Sequence, residues 1–73
     1  MYPNPANDIL HISIDGQLDD IEIYNIEGQL VREFDPQGAN EFSADIEGLS
    51  QGVYFVHVWN KAGQQQVLKM IKD

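Results

Sequence analysis

No cysteine occurs among the 73 residues, so neither a disulfide framework nor a thiolate metal site can brace the chain, and the redox character of its compartment leaves no mark on it. The fold must rest on its apolar core alone. Basic residues are almost as scarce: Arg32, Lys61, Lys69 and Lys72 stand against twelve carboxylates, for a net charge of −8. Nucleic acid and anionic membrane surfaces reward clustered Lys and Arg, so a balance of this sign disfavours both as partners. No apolar run approaches the roughly 18 residues needed to cross a bilayer, and none has the layout of a secretory signal peptide. Stable membrane insertion is therefore not expected. A chain this short forms one domain, residues 1–73, and buries only roughly 60% of the surface its unfolded form exposes. There is no room for a second core.

Groups that carry chemistry are also few. His11 and His57 are the only imidazoles, and no carboxylate stands at a ligand spacing from either, so no metal site is expected. Asp19, Asp20 and Glu22 have the acidity of a calcium loop without its alternating ligand pattern or its glycine, and read as a solvated acidic turn. There is no G-x-S-x-G elbow and no Ser, His and Asp arrangement in a plausible context. So small a domain also has little volume for a closed pocket. Neither catalytic residues nor a cofactor is expected, and the chain reads as a protein that is not an enzyme.

What is present is alternation. Val53 to Trp59 is crowded with β-branched and aromatic side chains, which fit a pleated sheet, and reads as the central strand, with Tyr54, Val56 and Val58 on one face and Val53, Phe55, His57 and Trp59 on the other. Asp8 to Ile14 alternates through Leu10, Ile12 and Ile14 until Asp15-Gly16 signals a turn, and Leu18 to Ile26 repeats the pattern through Ile21, Ile23 and Ile26. Gln29 to Phe34 follows closely enough for a hairpin in which Gly28 takes the positive φ. Asp35-Pro36-Gln37-Gly38 is a second turn. Asn40 to Ile46 then restarts a strand through Phe42, Ala44 and Ile46, Asp45 to Gly52 is a crossover loop, and Gln64 to Asp73 closes the last hairpin. The expected fold is an all-β, antiparallel Ig-like Greek-key sandwich of six to seven strands, the seventh being a short one in the extended lead-in Tyr2-Pro3-Asn4-Pro5. Parity assigns Leu10, Ile12, Ile14, Ile21, Ile23, Phe42, Ala44, Ile46, Tyr54, Val56, Val58 and Leu68 to the core. Residues 1–60 hold eleven acids against Arg32 alone, whereas the tail holds three of the four basic residues. The last strand is thus locally basic on an acidic body.

Four segments occur together in a particular order: Tyr2-Pro3-Asn4-Pro5, Tyr24-Asn25-Ile26-Glu27-Gly28-Gln29-Leu30-Val31, Leu49-Ser50-Gln51-Gly52-Val53-Tyr54 and Lys69-Met70-Ile71-Lys72. Each alone is a weak signal; together they resemble the C-terminal sorting domain, type A, of type IX secretion cargo. Such domains carry a Y-P-N-P, a Y-[DN]-x-x-G-x-x-V, an L-x-x-G-x-Y and a lysine-bearing last strand. The likeness spans essentially the whole chain, with one departure, a Lys-Asp terminus where a basic or apolar residue is usual. The resemblance implies an address rather than a chemistry: an Ig-like sandwich excised from a larger exported protein, which moves an N-terminal passenger from the periplasm across the outer membrane of Bacteroidetes to the cell surface or medium. It implies as partners the type IX translocon, its shuttle proteins and a sortase-like peptidase that commonly removes the domain. Its candidate sorting residues here are Tyr24, Gly28, Leu49, Gly52, Tyr54, Lys69 and Lys72.

Each of these also has a structural reading. Gly52 supplies backbone freedom where the central strand begins, Tyr54 buries its ring and bonds its hydroxyl to backbone as at sandwich corners, and Lys69 and Lys72, of opposite parity, cannot share one flat patch. The alternative from another class is a carbohydrate- or protein-binding sandwich with Phe55, His57 and Trp59 as an outward aromatic face. A structural Ig-like spacer is a third. Exposed edge strands leave self-association open in every case.

Overall fold

Side chains that alternate between apolar and polar can bury one face of a strand and wet the other, and this places each segment in a sheet. The computed structural model describes residues 8–72, and in them six strands form: β1 Ile9–Ser13, β2 Leu18–Asn25, β3 Leu30–Phe34, β4 Glu41–Asp45, β5 Gly52–Asn60 and β6 Gln65–Lys72. All pairings are antiparallel, β1 with β4 in a two-stranded layer and β3-β2-β5-β6 in a four-stranded one. The expected all-β sandwich is the architecture found. The strand expected at Tyr2–Pro5 lies outside the described residues.

The layers meet through one parity of each strand. Leu10, Ile12, Leu18, Ile21, Ile23, Ala44, Ile46, Tyr54, Val56, Val58 and Met70 form the core, each no more than 6% exposed. Ile14 and Phe42 pack against it half-buried, the Phe42 ring 5.5 Å from that of Phe34. Two expectations fail. Leu68 has the inward parity of Met70 but is only half-buried, because a two-stranded layer cannot cover all of a four-stranded sheet and β6 is an edge. Met70 takes the core position instead, 1% exposed. Ile26, read as a continuation of β2, is 72% exposed, since β2 ends at Asn25 and Ile26 lies in the turn that follows.

The four-stranded layer is built from two hairpins that are copies of one device. Tyr24-Asn25-Ile26-Glu27-Gly28-Gln29 turns β2 into β3, and Trp59-Asn60-Lys61-Ala62-Gly63-Gln64 turns β5 into β6. In each, the Asn N–H donates to the Gln carbonyl (2.9 and 3.0 Å) and the Gly N–H to the Asn carbonyl (3.0 Å in both). The Gln N–H returns a bond to Asn Oδ1 at 2.9 Å in both turns, and Asn Nδ2 donates to Gln Oε1 at 2.9 Å in both. Gly28 and Gly63 both have φ +85°, a conformation that glycine adopts without a Cβ penalty. Ile21 faces Val58 and Ile23 faces Val56, so exchanging the hairpins maps the central ladder onto itself. An approximate two-fold axis therefore passes between β2 and β5, and the two turns lie at opposite ends of the sheet. Asn60→Ala removes two side-chain bonds, whereas Asn25→Ala removes the same two and also the bond that Asn25 Oδ1 accepts from the Glu27 N–H; each change should cost about 1 kcal/mol, Asn25→Ala the more. That is a fall in Tm of roughly 4–8 °C for a domain of this size. Losses at both turns that add in the double variant are expected; a loss at one turn only would show that the shared bonds are not energetic copies.

Candidate functional site

Strand direction decides which of the seven candidate residues meet. β2 ends where β5 begins, with Asn25 opposite Tyr54, and β6 ends where β5 begins, with Lys72 opposite Gly52. The turn at Gly28, the loop at Leu49, Gly52, Tyr54 and Lys72 therefore gather at one end of the sandwich, and Tyr24 lies one residue in from that end. Lys69 does not join them: it faces outward across from Phe55.

The loop at this end is tied down from three directions. The Tyr54 hydroxyl donates to the Ser50 carbonyl at 2.6 Å while its ring is buried, the backbone tie expected at a sandwich corner. Arg32 Nη2 donates to the Glu47 carbonyl at 3.1 Å, which links the edge of β3 to the loop. The Leu49 N–H donates to the Ile46 carbonyl at 3.2 Å, and Leu49 packs half-buried on the core. Gly52 has φ +151°, as anticipated from its place at the start of β5, and a Cβ there would meet no atom within 4 Å. Its constraint is in the backbone rather than in space. Lys72 is 8% exposed on the inward face of β6, whereas Lys69 is exposed. The salt bridge found among the described residues, Lys61 to Asp19 at 3.0 Å, involves neither.

The outer face of the four-stranded sheet holds the other concentration of chemistry. The His57 ring lies 4.8 Å from Tyr24 in an edge contact and 5.8 Å from Trp59 in a stack, and Gln65 Nε2 donates to its Nδ1 at 2.9 Å. Asp20 and Glu22 lie within β2, where the alternation of Leu18 to Ile26 puts them and not in the solvated turn that their acidity suggested, and they alternate with the buried Ile21 and Ile23. Glu33, which the sequence reading overlooked, stands directly opposite Glu22. The register set at the Gly28 turn, carried straight on, would put Arg32 opposite Glu22; a bulge between Ile23 and Tyr24 shifts the pairing by one residue and brings Glu33 there instead, and no signal in the sequence marks that shift. One oxygen from each of Asp20, Glu22 and Glu33 lies within 4.8 Å of the others, close enough to share a cation. The Tyr24 hydroxyl donates to Glu22 at 2.6 Å, which pushes the tyrosine above its ordinary range.

These acids repel one another. Asp20 titrates above the usual carboxylate range, chiefly because burial penalises its charge, with Glu22, Asp19 and Asp35 adding to the effect against the Ile21 N–H bond. Glu33 is raised mainly by the charge of Asp20. An acid whose pKa is higher folded than unfolded stabilises most below the unfolded value, and that contribution is lost as pH rises through the folded one. Glu33→Gln should therefore raise Tm at pH 7 and flatten the fall of Tm between about pH 4 and pH 7. A lower Tm at neutral pH would show that Glu33 makes a favourable contact instead.

Two further juxtapositions were not legible in the chain. His11 Nδ1 lies 3.1 Å from Ser43 Oγ across the β1–β4 ladder, exposed on a flat sheet rather than in a cleft. An open groove of about 780 Å³ is lined by Ser13, Ile14, Asp15, Val58, Asn60 and residues 64–66; its walls supply amides, a hydroxyl and one carboxylate but no imidazole. His11 and His57 lie in different layers and do not converge.

The class defined by this fold is a small antiparallel β-sandwich, with most of the candidate residues at one end. The chain belongs to the family described as the secretion system C-terminal sorting domain, which it matches over residues 1–73. No curated protein matches it, and no solved structure does. Membership makes it a sorting signal for type IX secretion, a targeting domain whose destination is the far side of the outer membrane, at the cell surface or outside the cell.

Proposed function

We propose that the domain is read at the end where Gly28, Leu49, Gly52, Tyr54 and Lys72 meet, and that this reading commits an N-terminal passenger to passage from the periplasm through the type IX translocon. The observation that supports it is the register Gly52 opposite Lys72 with Asn25 opposite Tyr54, which brings three segments far apart in sequence to one end. Translocon and shuttle proteins are the receptors of this end, and Lys69 supplies a second contact from the outer face of β6. A sortase-like peptidase then removes the domain from its passenger. The domain itself performs no catalysis.

The test is a periplasm-targeted fluorescent reporter carrying residues 1–73 at its C-terminus, expressed in cells with and without a type IX machine. Surface delivery is expected in the first and periplasmic retention in the second. Retention in a strain that exports its own cargo normally would reject the reading.

A further inference from the structure

Among the described residues no further layer covers the outer face of β3-β2-β5-β6, and its side chains include like charges that a ladder does not favour. Glu22 and Glu33 stand directly opposite each other, and like charges so placed weaken a β-ladder. No basic side chain among the described residues is ion-paired with them or with Asp20. In the same cross-strand rows lie rings: Glu33, Glu22 and His57 share one row, Asp20 and Trp59 another. Tyr24, His57 and Trp59 touch in series beside the acids.

We propose that this face is a docking surface for an extended, arginine-bearing segment of a partner protein, with a guanidinium seated between Glu22 and Glu33 beside the Tyr24 ring. Charge complementarity selects the occupant. Two neighbouring carboxylates match the donor fork of a guanidinium, and adjacent ring faces attract a cation. Tyr24 holds the Glu22 carboxylate in place through its 2.6 Å bond. This surface is independent of the Gly52–Lys72 end and does not rest on the sorting role.

The test is NMR titration of the full 73-residue chain with tetra-arginine amide, and with tetra-lysine amide, calcium chloride and cellotetraose as comparisons. Saturable shifts at Asp20, Glu22, Tyr24, Glu33 and His57 are expected with tetra-arginine, stronger than with tetra-lysine. The Glu22→Gln/Glu33→Gln variant should bind about tenfold more weakly, while the charge-matched Glu27→Gln/Glu41→Gln variant should stay within about twofold of the parent. The first variant should also melt higher than the parent, so its lost affinity would not reflect misfolding. Equal losses in the two variants, shifts spread over the whole surface, or calcium or cellotetraose saturating this face in place of the peptide would each overturn the proposal.

Discussion

Deletion of residues 67–72 should abolish export of a fused reporter and unfold the domain at the same time. β6 supplies Met70 to the core and pairs with β5 from Gly52 to Trp59; without it the central strand β5 becomes an open, apolar edge, the arrangement that invites aggregation. The deletion alone therefore cannot distinguish loss of fold from loss of a contact. Lys69→Gln/Lys72→Gln separates them, since Lys69 is exposed and neither lysine is in the salt bridge found among the described residues. The pair should fold, with any loss of Tm arising at Lys72, whose stem is buried. Export should nonetheless fall by about tenfold if charge steers docking to the translocon. Single variants then assign the effect, with Lys72 acting at the end shared with Gly52 and Lys69 on the outer face. A folded double variant exported at the parental rate would remove both lysines from the recognition surface and leave the loop and turn residues as its carriers.

Met70→Ala should be among the most damaging single truncations, costing about 3 kcal/mol, within the range for deleting a large buried side chain that cannot be replaced by collapse. Stabilities of roughly 0.05–0.15 kcal/mol per residue leave so small a domain little to spare, and a population of unfolded chains at growth temperature is the expected outcome. Leu68→Ala, two residues away on the same face, should cost no more than about 1 kcal/mol, because Leu68 is already half in water. Urea denaturation of both variants decides the matter. Equal losses would mean that the two-stranded layer covers β6 along its whole inner face.

That pair of residues shows where the reach of the sequence ends. Parity placed Leu10, Ile12, Ile21, Ile23, Ala44, Ile46, Tyr54, Val56 and Val58 inside, and all are buried, because the two-residue period of a strand is a local property that any one segment carries by itself. The turn at Gly28 was equally local: a positive φ is demanded by a short connection wherever it sits. The placement of the Tyr54 hydroxyl on nearby backbone followed from the same kind of short-range rule. Leu68, by contrast, has the correct parity and the wrong neighbours. Which inward side chain is covered depends on how many strands the opposite layer holds, and no period within β6 contains that number. Ile26 failed at a boundary, where the Asn25 side chain captures two backbone N–H groups and ends the strand one residue early.

The sites divide in the same way. Composition and order of motifs determined that this is a small, acidic, all-β domain of the type IX sorting family, since these are properties of the chain read end to end. Only the tertiary structure decided that Gly28, Gly52, Tyr54 and Lys72 share one end while Lys69 does not, and that Glu33 stands against Glu22 beside an aromatic row. Antiparallel register joins residues by the sum of their positions along two strands, and a strand slipped by a single residue turns its own side chains to the other face, as the bulge between Ile23 and Tyr24 shows by setting Glu33 in place of Arg32 opposite Glu22.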